Sequence, residues 1–533
     1  MIKDITEFND EATLRGAVCV VGTGLAGMEA IRYLARQGLT VVVAEGGREA
    51  FDPKAQALNH VRSIGKPLIE PDPGLSITPY LPPFLRGESR LRQLGGTSDI
   101  WTGKWREFQQ IDFEARPHVP YSGWPISLQD LLSSYREVER EHDFGDFEAF
   151  ERSEAYVRFQ REIGGSGLDP SFHYWEREAL RAAQSFREEL ESSPNITVVL
   201  GANATELVPD TAGQQIASLR CRSLEGRRIT FAADHFVIAT GGLEAPRLLL
   251  ASRARDPRGV GNAHDLVGRF FMDHPKIKAG KLWPGHNFDK IPGKAESFPR
   301  PRFKVNFSLS REMQYQASLL NHTIQFSTPE ATGFSKLNAA WKRRHIGGVI
   351  RSGLRLAASP SAMGEAVHQM RSTAPQPLKV TLMFEQAPNP DSRLSLSEER
   401  DDLGMPKLLV DWRLTLLDQR SFTQTIDLLT KALADSGVGR LDFDGSPPAL
   451  EDTSDAMHPM GTTRMGATPA TGVVDSDCKV FGVDNLFVAS GSVFPTGHSY
   501  GPTLTIVALA RRACARIVRD SDRVQADISK TAT

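Results

Sequence analysis

Residues 22–27, GTGLAG, are the first place where residue types and spacing imply chemistry. Gly22 permits a tight turn, Gly24 lets the backbone approach a pyrophosphate, and Gly27 lets a helix pack closely on the preceding strand. A helix opening at Leu25 and Ala26 turns its free N–H groups toward phosphate oxygens. Glu45, followed by Gly46, stands about 20 residues further on, where a carboxylate accepts hydrogen bonds from ribose hydroxyls. An acid at that position favours an unphosphorylated ribose, and so FAD or NAD over NADP.

A second candidate lies near the C-terminus, in GHSYGPTLTI (497–506). His498 and Tyr500 precede Pro502, which suits a first helical position because its missing N–H costs nothing there. Apolar residues then recur at helical spacing. From these residues alone, His498 is either a base beside a cofactor or a polar residue in a loop. The four cysteines are scattered, with no CxxC and no metal-ligand spacing, so free thiols and no metal are expected.

The elements that must position these groups are legible in outline. AVCVV (17–21) reads as a buried strand, MEAIRYLARQG as a helix and LTVVVAEGG as a second strand, giving the βαβ context that the glycine motif needs. Gly95, Gly96, Thr97 and Ser98 form a second glycine turn. Residues 195–208 and 227–242 read as strands, and the later one runs into Ala239, Thr240, Gly241 and Gly242 ahead of a helix. At 533 residues the chain is long enough for two lobes. Its formal charge of −2 gives no reason to expect nucleic acid as a partner. The polar N-terminus lacks the apolar core of a signal peptide. No apolar run reaches the roughly 18 residues of a membrane span. A cytoplasmic protein is expected.

Taken together, these stretches resemble the glucose–methanol–choline (GMC) family of FAD-dependent oxidoreductases. The likeness also rests on SGWPISLQDLLSSYREVE, LVGRFFMDHP, EQAPNPDSRLSLSEERDDLGMPKLLVDWRL, HPMGTTRMG and GVVDSDCKVFGVDNLFVASGSVFPTG. It is strongest toward the bacterial sugar- and polyol-oxidising branch, with pyranose oxidases more distant. The resemblance implies an α/β, two-lobed architecture like that of p-hydroxybenzoate hydroxylase. A Rossmann-like FAD lobe would take residues 14–130, 195–275 and 450–520, and a helical cap 131–194. A substrate lobe on an antiparallel sheet would take 276–449, and 521–533 would be a flexible tail.

The same resemblance implies the chemistry. A CH–OH group of a sugar, cyclitol, glycoside or related alcohol would lose its proton to His458, and its hydride would pass to flavin N5. The family's second polar residue, usually Asn or His, falls at Gly501, which has no side chain to offer. His498 or Tyr500 would then stand in for it. If neither does, the alternative is lyase-type or otherwise non-oxidising chemistry on the same fold. Ala204, Ala489, Ser490, Pro502 and Thr503 complete the expected FAD contacts, and the helix start at Thr503 would face the reduced flavin. The position of the histidyl flavin linkage in pyranose oxidases is Ile100, so FAD should be non-covalent. Electrons would pass on to oxygen or another acceptor.

His274 is expected to be structural, and Asp391 and Arg393 to be turn residues between strands. The basic, glycine-interrupted segment 341–372 is read as a solvated or oligomer-contact helix rather than a membrane-surface one.

Overall fold

Short, valine-rich runs that are buried on both faces build parallel sheets, and five such residues, Val41–Glu45, are all buried at the centre of the main sheet. The computed structural model describes residues 1–65, 89–144, 147–163, 166–175, 179–288, 303–327, 376–443 and 445–531. Its main sheet has eight strands. Ile2–Asp4, Ile196–Leu200, Val41–Glu45, Ala12–Val21 and Arg228–Ile238 run parallel in that order. Arg228–Ile238 serves two further partners. Its first residues pair antiparallel with Ile216–Arg222, which continues to Asn203–Pro209, and its last three pair parallel with Leu486–Val488. Helix Leu25–Arg36 follows the glycine turn, and helix Thr503–Thr531 packs against it. Buried Glu29 of the first helix accepts from Arg511 Nε of the second at 2.6 Å, which fixes how the two helices meet.

The second sheet has seven strands in the order Gly439–Asp442, Lys276–Pro284, Leu378–Phe384, His322–Ser327, Phe303–Leu309, Leu168–Trp175 and Lys104–Trp105. All its pairings are antiparallel. Alternation along a strand sends successive side chains to opposite faces. Ile277, Leu282, Ile324 and Leu382 go to a core shared with Phe422, Ile426 and Leu429 of helix Leu416–Asp435. Lys276, Lys278, Gln325, Thr381 and Met383 line a cavity between this sheet and the main one. A third sheet joins Val61–Ser63 to Pro406–Asp411 and Arg393–Arg400.

Three boundaries differ from the sequence expectation. Leu168–Trp175, placed in a helical cap, is a strand in register with Phe303–Leu309 because its alternating aromatics are buried against the second sheet's core. Ile2–Asp4, placed ahead of the first lobe, is an edge strand of the main sheet. The expected flexible tail is helical as far as Thr531, continuing the helix that starts at Thr503. The basic segment 341–372 lies outside the described residues. Asp391 does occupy a turn, while Arg393 opens a strand. Among the described residues no helix is long and apolar enough to cross a membrane.

Candidate active site

The cavity between the two sheets has a volume of about 1280 Å³. Its nucleotide wall is made largely of backbone. Gly22 has a φ of +93°, and a Cβ there would lie 2.9 Å from the Ala239 carbonyl oxygen. A Cβ on Gly27 would come 2.0 Å from the Gly22 oxygen, so the helix can approach the turn only without one. In front of Gly24 there is open space, and the helix begins there with no side-chain cap. Free N–H groups facing an open cradle form an anion site. Glu45 stiffens it. Its Oε2 accepts from Thr23 N at 3.0 Å and Thr23 Oγ1 at 2.6 Å, and its Oε1 accepts from Gly47 N at 2.7 Å.

The other expected nucleotide contacts gather on this wall. Leu25, Ala26, Gly46, Gly96, Thr97, Ser98, Ala204, Ala239, Thr240, Gly241, Ala489, Ser490, Pro502 and Thr503 all line the cavity. Gly27 and Gly95 act from behind it. Gly95 donates its N–H to Thr23 Oγ1 at 3.0 Å, tying the second glycine turn to the first. The Thr240 hydroxyl is buried with no hydrogen-bond partner among the described residues, although it lines the cavity. A buried hydroxyl left unpaired costs on the order of 1–3 kcal/mol, which a polar ligand atom would recover. The open cradle, this hydroxyl and the helix start at Thr503 fit a flavin dinucleotide.

His458 lies on the same cavity, where the two sheets meet. Its loop is held by Asp273, whose carboxylate accepts from Ala456 N at 3.0 Å and His458 N at 2.9 Å. Met272 and Met460 exchange backbone hydrogen bonds across the same junction. Gly242 permits the close approach, since a Cβ on it would meet the Pro459 oxygen at 2.0 Å.

His274, expected to be structural, sets the chemistry of His458. Its Nε2 is 2.9 Å from the Gly497 carbonyl oxygen, which can only accept, so Nε2 carries the proton. Neutral His274 therefore has a lone pair at Nδ1. That atom lies 2.9 Å from His458 Nδ1, which must then be the donor. The chain of bonds leaves His458 Nε2 unprotonated. Burial, then the charges of His274, Lys276 and Lys104, hold His458 well below the usual imidazole value of 6.5. Burial also lowers His274, to about 4.

The residues around Gly501 divide differently from the expectation. His498 is fully buried and is not among the cavity-lining residues. Its ring packs on Phe108 at 4.6 Å between centroids, and its Nδ1 lies 2.8 Å from Asp112 Oδ2. The backbone at His498 has a φ of +56°, which turns the side chain into the core between the lobes. It therefore does not fill the place left by Gly501. Tyr500 does line the cavity, with its hydroxyl 3.4 Å from His173 Nε2. At Gly501 a Cβ would touch only the Lys104 oxygen, at 3.9 Å, so the missing side chain leaves free room.

Sequence reasoning gave His274 only a structural role and did not single out Asp273, Lys104, Lys276 or Lys278. The alternation of lysines in KIKAGK was the available signal for a polar strand face.

Comparison with known proteins agrees with this geometry. A family model described as FAD dependent oxidoreductase matches residues 17–261, and one described as GMC oxidoreductase matches residues 388–510. The chain is 24% identical to paromamine 6'-oxidase of Streptomyces fradiae, over 94% of this chain and 91% of that protein. It is 23% identical to 2-methyl-1,2-propanediol dehydrogenase of Mycolicibacterium austroafricanum, over 93% of this chain and 94% of that protein. The crystal structure of pyridoxine 4-oxidase from Mesorbium loti superposes with a TM-score of 0.58 at 18% identity, covering 95% of this chain and 99% of that one. The glycine cradle falls within the match to FAD dependent oxidoreductases, and the His458 loop and Thr503 helix start fall within the match to GMC oxidoreductases, so the chain carries an FAD-dependent oxidoreductase region and a GMC oxidoreductase C-terminal region.

Proposed function

We propose that this enzyme oxidises a CH–OH group of a sugar, cyclitol, glycoside or related alcohol, with His458 Nε2 as the proton acceptor. The observation that carries the reading is the bond series from Gly497 O through His274 to His458, which leaves a lone pair on an imidazole at the cavity wall. A neutral imidazole with a depressed pKa is already in its basic form at neutral pH. The names of the two relatives above, an oxidase of paromamine and a dehydrogenase of a diol, support an alcohol substrate.

FAD, held by the glycine cradle, Thr240 and the Thr503 helix start, supplies the two-electron acceptor. The chain's own residues do the rest. The substrate hydroxyl donates to His458 Nε2, while His458 Nδ1–H remains on His274 Nδ1. That bond fixes the tautomer and the ring orientation, so that Nε2 stays turned to the cavity as the proton moves. Lys276 and Lys104 disfavour a lasting positive charge on His458, which favours return of the neutral base. Room beside Gly501 admits a ring substituent where the family usually has a polar side chain. Ile100 on the cavity wall offers no atom for a covalent flavin link, so FAD should be released by acid precipitation. Four buried free cysteines fit a reducing compartment and a cytoplasmic enzyme. Oxygen or another small acceptor would take the electrons onward.

Anaerobic titration with sugars and polyols tests this directly, following the oxidised-flavin band near about 450 nm. Bleaching is expected, and His458→Gln should slow it by about a thousandfold while FAD content is kept. Full FAD occupancy with no bleaching by any alcohol would favour non-oxidising chemistry instead.

A further inference from the structure

The charges on the two walls of the cavity are matched in different ways. At the nucleotide end, Arg90 and Arg92 are paired with Glu244 at 3.1 and 3.3 Å. At the opposite end, Lys104, Lys276 and Lys278 line the cavity, and among the described residues none has a carboxylate within salt-bridge distance. Lys276 and Lys278 are two apart on one strand, so both extend from the same face of the second sheet. Lys104 comes from the short strand at the other edge of that sheet and approaches the ring of Tyr500, with Nζ 5.6 Å from its centroid. Asp455 also lines this part of the cavity and offsets some of the charge on Lys276. Burial, followed by the charges of Lys104 and Lys278, still holds Lys276 below its usual value. Lys276 and Lys104 are half-buried and Lys278 reaches solvent; holding the first two without a counter-ion is unfavourable until something anionic arrives.

We infer that the substrate of the proposed oxidation carries an anionic group, carboxylate or phosphate, which Lys276 and Lys278 receive with Lys104 beside it while a hydroxyl of the same molecule faces His458. The inference rests on the proposed oxidation for the orientation of that hydroxyl, but the anion site itself does not depend on turnover. The lysines lie on the substrate-side sheet, whereas the phosphate cradle lies on the main sheet, so the two sites serve different parts of the bound molecules.

The test is equilibrium binding of D-glucuronate and D-glucose to the FAD-loaded protein by calorimetry at low ionic strength. Acetate and inorganic phosphate serve as competitors. Glucuronate should bind about tenfold or more tightly than glucose, and molar salt should erase the difference. In Lys276→Gln/Lys278→Gln, checked for native FAD content and melting temperature, the glucuronate-to-glucose ratio should fall to about one. Displacement by acetate points to a carboxylate, and displacement by phosphate alone points to a phosphate ester. Equal binding of both sugars in the wild-type protein, or a preference that survives in the double variant, overturns the inference. Charge-selective binding without flavin bleaching would keep it and refute the proposed oxidation, whereas bleaching by neutral sugars with no charge preference would do the reverse.

Discussion

The nucleotide wall and the substrate wall of the cavity receive their ligands by different physical means. On the first, selectivity is written in backbone: glycines that exclude a Cβ, a helix start with free N–H groups, and a carboxylate already committed to the turn it stabilises. On the second it is written in side chains whose states depend on one another, as His458 depends on His274 and Lys276 on its lysine neighbours. A backbone wall tolerates almost no added volume, and its N–H donors do not titrate. A side-chain wall tolerates volume, as Gly501 shows, and responds to charge and tautomer.

Substitutions can break this contrast, and the largest effect is expected on the backbone wall. Gly27→Ala places a methyl group 2.0 Å from a backbone oxygen that cannot move without distorting the turn. The purified protein should contain essentially no FAD, measured as the ratio of flavin to protein absorbance. A variant with full FAD content would show that the helix can retreat and that the close approach is not required.

An intermediate effect is expected on the side-chain wall at His274. His274→Phe keeps the volume but removes the acceptor for His458 Nδ1–H, and flavin reduction should slow by about 10- to 100-fold. The pH profile separates this role from a merely structural one. In the proposed mechanism the base form of His458 is required, so the rate falls only as pH drops through its folded pKa, and in the wild-type enzyme that acid limb lies well below 6.5. Removing His274 removes one cause of the depression, so the limb should move upward toward 6.5. His274→Gln, which restores an acceptor, should recover part of the rate. An unmoved limb in both variants would mean that His274 only fills space.

The smallest effect on turnover is expected at His498, a histidine as buried as His274 but facing away from the cavity. Asp112 there also accepts from Asn321 Nδ2 at 2.8 Å and Gln109 N at 2.7 Å, so the cluster joins the lobes. His498→Ala should cost about 2–3 kcal/mol of stability, seen as a lower melting temperature. Flavin reduction per bound FAD should change by less than about threefold, under 1 kcal/mol on the barrier. A large loss of rate with unchanged stability would return His498 to the reacting groups.

This contrast also explains what could be read in advance. Gly22, Gly24, Gly27 and Glu45 act through local backbone geometry, and their spacing along a βαβ unit is enough to place them. His458 was proposed from its motif, and it does line the cavity. Its partner His274 is 184 residues away in the chain, and no local pattern joins the two. His498 was misplaced because closeness to Gly501 in sequence says nothing about side-chain direction, which the left-handed backbone at His498 reverses. The alternation in KIKAGKLWP marks a strand with one polar face. Whether that face meets water or a closed cavity depends on what covers it, and here the cover is a sheet assembled from distant segments.

The order in which the main sheet is completed has a consequence for biosynthesis. Its strands include Ile2–Asp4 and Leu486–Val488, and the helix that closes over Leu25–Arg36 begins only at Thr503. A cradle encoded within the first fifty residues therefore waits on the last fifty to leave the ribosome. Contacts so distant in sequence form slowly. FAD loading thus becomes an event that follows synthesis, and a chain truncated near its end loses a cofactor site encoded near its beginning.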